Sequence, residues 1–281
     1  MNSNINTVET PTIAKIQANL FEMLELFDRV CKENEIDYYI IGGTLLGAIR
    51  HNNFIPWDDD VDIGLFRDDY LKLMSLSQKV WGQDYVIKGP GDRTFPYPYS
   101  KLINKKTTII EDIGYKFITG LYIDIFPIDG AGNTVNIGVK HYRRINRSRG
   151  YLQLSINNDY KAENIFKYLM QKMIKYIGPV FWKALIQNNL KKYKVSSSIY
   201  VGNMLGAWGE REIVEKRLFG KPQGYLIRGH KFLGPQYAAE YLEKIYGKYM
   251  ELPPLEKRKS HHANIYVDLN QAYEKYGFMG E

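Results

Sequence analysis

The sequence predicts an α+β protein in which a β-sheet core is flanked by helices and the C-terminal half is mainly helical. Apolar residues recur at helical spacing near the N-terminus. Short apolar runs bounded by turn residues follow between residues 38 and 126, which is typical of strands. Helical spacing returns from about residue 135. We therefore expect the strands mainly in the first half of the 281-residue chain.

The first element is an amphipathic helix, predicted over residues 11–34. Thr10 suits the N-cap, and Pro11 suits the first helical position because a missing N–H costs nothing there. The single cysteine, Cys31, falls on the apolar face. It has no partner for an internal disulfide, and the sequence lacks a Cys/His set for structural zinc. This composition, with no signal-peptide pattern at the N-terminus, favours a reducing, cytoplasmic location.

A short strand over residues 38–41 is predicted to end at Gly42-Gly43, and a short helix over residues 44–50 to follow directly. A glycine pair after a strand is in most proteins simply a turn. Here it precedes an acidic strand, and glycine allows backbone amides at the start of a helix to approach a phosphate closely. Gly42, Gly43 and Thr44 are therefore predicted to bind substrate.

The most informative feature is an acidic run, Asp58, Asp59, Asp60 and Asp62, within residues 54–65. Apolar residues alternate with Asp60 and Asp62, as on a half-buried strand. Carboxylates two positions apart on a strand lie about 6–7 Å apart, and partial burial makes their repulsion costly. A divalent cation removes that cost, and hard oxygen ligands suit Mg²⁺ or Mn²⁺. A solvated acidic loop is the alternative; the alternation favours the metal site. Asp59 is expected to point away from the others.

A second acidic element lies further along the chain, where the single carboxylate of Asp124 interrupts an apolar strand. A buried charge there requires either a metal ion or a salt bridge to a lysine or arginine. Asp129, after a turn expected at Pro127, is predicted to be a loop or cap residue. The other predicted elements are a helix over 68–81, strands near 84–88, 98–103, 107–111 and 120–126, and helices near 235–250.

The net charge of +7 is unevenly distributed. Residues 140–195 carry 13 Lys/Arg and two acidic residues, a net +11 (13 − 2), so the remainder carries −4. Within residues 161–195, lysines alternate with aromatic and aliphatic residues, which fits peripheral contact with an anionic membrane. Two helices packed on the core, with their lysines in solvent, fit equally well. A nucleic-acid partner is not expected, because a basic surface does not explain the acidic spacing.

Three motifs together resemble the LicD family: Gly42–His51, Ile55–Ile63 and Tyr122–Pro127. The resemblance continues near the C-terminus with Tyr246–Pro254 and with Lys257-Arg258 ahead of His261-His262. It implies a single domain over residues 1–281. Within it, a nucleotidyltransferase-like mixed sheet is expected at about 12–135 and a helical, basic elaboration at about 136–281.

The resemblance also implies an activity: phosphotransfer from a CDP-alcohol to a sugar of a cell-surface glycan such as teichoic acid or lipopolysaccharide. Phosphocholine from CDP-choline is the expected group. The resemblance makes Asp60 and Asp62 ligands of Mg²⁺ (or Mn²⁺) and Asp124 the third carboxylate, with Asp58 as a further ligand or an outer partner. Asp124 is also the candidate general base. Nucleotidyl transfer with release of pyrophosphate is the alternative.

The expected partners are thus a CDP-alcohol donor and a glycan or lipid-linked glycan acceptor, met in the cytoplasm or at the inner face of the membrane. Arg50 and Lys101 are candidate phosphate contacts because their positive charge complements a diphosphate. Trp57 is a candidate to stack on the base or the alcohol headgroup, with packing beneath the acidic strand as the alternative. Arg258, His261 and His262 are predicted to close over the site or contact phosphate.

Overall fold

The computed structural model describes residues 11–160, 162–259 and 264–276. Seven α-helices lie in these ranges: α1 (Ile13–Glu33), α2 (Gly42–His51), α3 (Arg67–Met74), α4 (Val135–Ile156), α5 (Ile165–Ile177), α6 (Pro179–Leu190) and α7 (Ala238–Tyr246). None of these described helices is long and apolar enough to cross a membrane.

Twelve β-strands lie in the described part of the chain. The first seven are β1 (Tyr39–Ile40), β2 (Asp62–Phe66), β3 (Tyr85–Lys88), β4 (Ser100–Asn104), β5 (Thr108–Asp112), β6 (Lys116–Thr119) and β7 (Tyr122–Gly132). The remaining five are β8 (Tyr200–Gly202), β9 (Ile213–Glu215), β10 (Gln223–Ile227), β11 (His230–Gly234) and β12 (Asn264–Asp268).

The main sheet has the order β1-β2-β7-β4-β3, and β8 and β9 extend it from the far end of β7. The β2/β7 pair is parallel and the other pairs are antiparallel, so the sheet is mixed. Helices α1, α3 and α4 pack against β7, the central strand. These features confirm the predicted α+β class with a mixed sheet and flanking helices.

Strand β7 runs through Pro127, where the sequence predicted a turn. Its pairing with β4 ends at Ile125, and its pairing with β8 begins at Asp129. Proline cannot donate a ladder hydrogen bond. It is tolerated here because it occupies the gap between two successive partner strands. The predicted end of the strand at Pro127 is therefore wrong.

The predicted helices differ from the observed ones mainly at their ends. Helix α1 begins at Ile13, with Thr12 rather than Thr10 at the N-cap, although Cys31 is fully buried as expected. Helix α2 begins at Gly42, two residues earlier than predicted. Helix α3 ends at Met74, and a separate 3₁₀ turn covers Gln78–Trp81.

The region after residue 190 departs from the prediction of a mainly helical C-terminal half. Helices α4 to α6 lie between residues 135 and 190 as predicted, but five strands follow in the described part of the chain. Strands β8 and β9 join the main sheet, and β12 joins a three-stranded sheet with β5 and β6. The hairpin of β10 and β11 packs on α2 and β1. Short strands of three to five residues leave little periodicity in a sequence, so helical spacing dominated the prediction.

Candidate active site

The parallel pairing of β2 with β7 places two of the predicted carboxylates side by side. Asp62 and Asp124 are register partners, and Lys101 on β4 is the register partner of Asp124 from the other side. Adjacent strands lie about 4.8 Å apart, and residues in register project from the same face. Asp62, Asp124 and Lys101 therefore form a row across three neighbouring strands, which we call the charged row.

The start of α2 lies against the carboxylates. Gly42 has a φ of +56°, and a Cβ atom on it would lie 2.9 Å from Oδ2 of Asp62. A Cβ on Gly43 would lie 2.7 Å from Oδ2 of Asp58. The left-handed backbone of Gly42 favours glycine, and at both positions a Cβ would require the neighbouring carboxylate to move. The hydroxyl of Thr44 is buried and accepts a hydrogen bond of 2.9 Å from the Asp62 N–H, which ties α2 to β2.

Asp62 is the electrostatic centre of the site. Its pKa is raised well above the ordinary value, first by burial and then by the negative charges of Asp60, Asp124 and Asp58. Its side chain keeps a solvent-exposed edge although protein atoms surround it. The structure therefore brings together the four carboxylates that the sequence assigned to the metal site.

Asp124 and Lys101 form a buried ion pair. Burial raises the pKa of Asp124, and the Lys101 ammonium, 3.1 Å from Oδ1, counteracts that rise. Lys101 is only 1% exposed, its ammonium lies 3.1 Å from the centre of the Tyr122 ring, and Glu111 is 4.0 Å away. The salt bridge left open for Asp124 is thus present. Lys101, which was predicted to contact phosphate, is buried and lies beside two carboxylates.

The donor set is chemically suited to a divalent cation. Oδ1 of Asp124 is buried and makes no hydrogen bond of standard geometry to a described residue. Like-charged neighbours raise the pKa of Asp62, and a cation relieves that repulsion. In the described ranges, however, no three His, Cys, Asp or Glu side chains already have the spacing of a complete ligand set. The fit therefore rests on charge, because Oδ1 of Asp124 already lies 3.1 Å from the Lys101 ammonium.

Several predicted substrate contacts meet at one edge of the site. The Arg258 guanidinium carbon lies 5.6 Å from the centre of the Trp57 ring and its Nε donates to the Pro253 carbonyl. Arg50 donates to the Tyr249 carbonyl at 3.1 Å; burial and the nearby Arg258 lower its pKa. Trp57 thus contacts an arginine here. His261 and His262 lie outside the described residues.

A buried carboxylate next to the site, Glu212, was not predicted from the sequence. Burial raises its pKa to about 8, and its charge adds to the rise in the pKa of Asp62. Burial raises the pKa values of Tyr241 and Tyr246, and the charge of Glu212 adds to both rises. Both tyrosines lie on α7, which packs against α2. Glu212 stands in a polar stretch, Gly-Glu-Arg-Glu, that carries no periodic signal.

Asp129 corrects a prediction. It is 1% exposed on β7, and both of its carboxylate oxygens accept from Arg67, through Nε at 2.8 Å and through Nη2. Burial raises the pKa of Asp129, and the Arg67 hydrogen bonds counteract that rise. It is therefore a buried partner in an ion pair and not a loop or cap residue.

Residues 35–153 match a domain family described as LicD/FKTN/FKRP, nucleotidyltransferase domain. The chain is 29% identical over 263 residues to the lipopolysaccharide cholinephosphotransferase LicD of Haemophilus influenzae, across 89% of this chain and 96% of that protein. A stretch of 34 residues is 53% identical to the human ribitol 5-phosphate transferase FKRP, covering 12% of this chain and 7% of that protein. Another of 65 residues is 35% identical to the human ribitol-5-phosphate transferase FKTN, covering 23% and 13%. The charged row lies within the matched domain.

Proposed function

Because residues 35–153 of this chain form a LicD-family domain, we propose that the protein is a Mg²⁺-dependent phosphotransferase. It moves phosphocholine from CDP-choline onto a sugar of a cell-surface glycan such as teichoic acid or lipopolysaccharide. The observation that carries the proposal is the side-by-side register of Asp62 and Asp124 next to the glycine start of α2. The choice of phosphocholine rests on the near full-length similarity to a protein named as a cholinephosphotransferase.

In this proposal Asp60, Asp62 and Asp124, with Asp58 beside them, hold the metal. When bound, Mg²⁺ (or Mn²⁺) would neutralise negative charge on the diphosphate and on the departing CMP. The N–H groups at the start of α2 and the guanidinium groups of Arg50 and Arg258 face the same negative charge. These residues position the donor and hold it while the phosphorus is attacked.

The transfer forms one phosphorus–oxygen bond and breaks another. The acceptor hydroxyl oxygen attacks the phosphorus that carries choline, and the bond from that phosphorus to the oxygen of CMP breaks. The hydroxyl proton passes to Asp124, whose carboxyl pKa burial raises above its ordinary value although Lys101 counteracts the rise. The products are a sugar phosphodiester and CMP.

Product analysis tests this reaction. The purified protein is incubated with Mg²⁺, a glycan acceptor and CDP-choline, CDP-ribitol or CDP-glycerol, and the products are followed by ³¹P NMR. We expect CMP and a new phosphodiester in equal amounts, with CDP-choline the preferred donor. A parallel incubation contains CTP and a phospho-alcohol in place of the CDP-alcohol. Release of pyrophosphate there, without release of CMP in the first incubation, would instead establish nucleotidyl transfer.

A thermal-shift comparison tests the metal site separately. CDP-choline with Mg²⁺ is expected to raise the melting temperature of the wild-type protein and of the control Asp68→Asn, whose side chain is exposed at the start of α3. The shift is expected to be lost in Asp60→Asn and Asp62→Asn. Equal shifts in the wild type and in both site variants would show that the metal-site assignment is wrong.

A further inference from the structure

Helix α5 turns large apolar side chains to solvent. Their exposed fractions are 70% for Ile165, 74% for Phe166, 59% for Leu169, 57% for Met173 and 94% for Tyr176. The spacings of three and four residues place them on one face of the helix. The first turn of α6 adds two more exposed apolar residues, Val180 and Phe181. We call this set the α5 stripe.

The buried side of α5 is small by comparison. Its buried residues are Gln171 and Ile174, so the helix attaches to the protein by a narrow contact. The sequence left open whether these lysine-rich helices pack with their lysines in solvent. The structure shows that large apolar side chains are in solvent as well, which an ordinary packed helix avoids.

Positive charge accompanies the α5 stripe. Lys172 is exposed, and its ammonium lies 4.9 Å from the centre of the Tyr168 ring. Lys167 and Lys175 lie on the same helix, partly exposed. Residues 161–195 as a whole carry eight lysines and one acidic residue, a net charge of +7 (8 − 1). A partner that covers the α5 stripe must therefore offer an apolar region to the stripe and negative charge to the lysines beside it.

From this pairing of an exposed apolar stripe with flanking lysines we propose that α5 and the start of α6 seat the protein on an anionic lipid bilayer. Apolar side chains enter the acyl boundary, while lysines meet the headgroup phosphates. A second copy of the chain is a poorer occupant, because two stripes face to face would bring their lysines together. The inference goes beyond the proposed reaction and does not depend on it.

The α5 stripe, the proposed membrane-binding surface, is connected to the active site through α6. Trp182 on α6 donates to the carbonyl of Ile174, which joins α6 to α5. The buried ammonium of Lys183 donates to the carbonyls of Asp92 and Phe95 at 2.5 and 2.6 Å, and Gln187 donates to that of Pro98. The loop held in this way leads directly into β4 and Lys101. A bilayer bound at the stripe would therefore hold the site at a fixed height above the lipid surface.

Vesicle flotation of the full-length protein, without metal or substrate, tests membrane binding by the α5 stripe. Wild-type protein is expected to float with vesicles of phosphatidylglycerol and phosphatidylcholine in equal parts and to remain in solution with phosphatidylcholine alone. The triple variant Phe166→Ser/Leu169→Ser/Met173→Ser is expected to bind more than about 100-fold more weakly, since each buried apolar side chain contributes tenfold or more. Lys172→Ala/Lys175→Ala is expected to weaken binding about fivefold for each lysine removed.

Matched controls separate the stripe from general hydrophobicity and charge. Leu71→Ser/Ile199→Ser/Leu226→Ser removes three exposed apolar side chains elsewhere. Lys221→Ala/Lys231→Ala removes two exposed lysines, one shortly before β10 and one on β11. Both controls are expected to float like the wild type. Failure of the wild type to bind anionic vesicles, or equal binding by the stripe triple variant, overturns the proposal. The proposal is also overturned if the wild type does not bind vesicles but forms a dimer, and the triple variant does not form that dimer. Because no substrate is present, a failed transfer reaction leaves the result unaffected.

Discussion

The two ends of the β2/β7 pair treat a buried carboxylate in opposite ways. At the far end, Asp129 gives both of its oxygens to the guanidinium of Arg67, the residue that follows β2. At the near end, Asp124 has one lysine, whose ammonium lies 3.1 Å from Oδ1, and it faces Asp62 across the strand pair. The same two strands thus hold one compensated carboxylate and one cluster with an excess of negative charge.

The difference separates a structural carboxylate from a functional one. Burying a charge without a matched partner is costly, so a compensated pair is what stability alone selects. The excess at the near end costs stability in the absence of a cation and is expected where function requires it. Burial by itself therefore does not distinguish Asp124 from Asp129, because both are buried. They differ in the balance of positive and negative charge around each carboxylate.

The largest expected effect is on activity at the near end. Asp62→Asn is expected to lower the rate of phosphocholine transfer by about 100- to 1,000-fold, because it removes a negative charge from the proposed metal site. Without metal, its melting temperature should equal or exceed that of the wild type, because like-charge repulsion is relieved. Steady-state kinetics and metal-free thermal denaturation measure the two effects. A variant that loses activity only because it unfolds would contradict this interpretation.

The next effect is on stability at the far end. Asp129→Asn leaves the Arg67 guanidinium buried without its counter-charge, and the free energy of unfolding is expected to fall by about 3–5 kcal/mol. Urea denaturation measures it. Replacing both partners, as in Arg67→Met/Asp129→Leu, should recover most of the loss. If Asp62→Asn destabilises the metal-free protein as much as Asp129→Asn, the two ends do not differ in the way described.

A third effect is a pH dependence from Glu212, the buried carboxyl beside the near end. Its pKa rises from an ordinary 4.5 to about 8 in the folded protein. Between these values the folded state binds the extra proton, so the free energy of unfolding falls as pH rises from about 4.5 to about 8. In Glu212→Gln this contribution is absent. Its melting temperature relative to wild type is expected to increase from pH 5 to pH 8.

Metal-free thermal denaturation across this pH range provides the test, with Glu243→Gln, an exposed change on α7, as the control. The control should show a constant difference from the wild type. A constant difference for Glu212→Gln as well would mean that the Glu212 carboxyl does not hold its proton in the folded protein.

Local patterns in the sequence predicted a large part of this arrangement. Helix α1, strand β1, the short helix α2 after it and the strand that carries Asp62 all follow from spacing within a few residues. The α+β class and the mixed sheet are confirmed. The proximity of Asp62 and Asp124 was expected from the LicD resemblance, and the strand register supplies it.

Other features depend on partners that are distant in the chain. Lys101 is buried because Tyr122 covers its ammonium and Asp124 pairs with it, and no pattern around residue 101 records that. The burial of Asp129 depends on the continuation of β7 past Pro127 and on the ion pair with Arg67, and neither is visible in the local sequence. Glu212 lies near Asp62 through a tertiary contact alone. The sequence thus predicted local elements and failed where burial is decided across the sheet.

The parallel register of β2 and β7 also determines when the site can exist. Asp62 and Asp124 are 62 positions apart (124 − 62), and a helix and four strands lie between them. Closing so long a loop costs entropy before any contact repays it, and parallel pairing is slow for that reason. A nascent chain that ends before residue 122 holds three of the four carboxylates and lacks the strand that completes them. Cation binding is therefore expected to report that the sheet has finished assembling, and not to nucleate it.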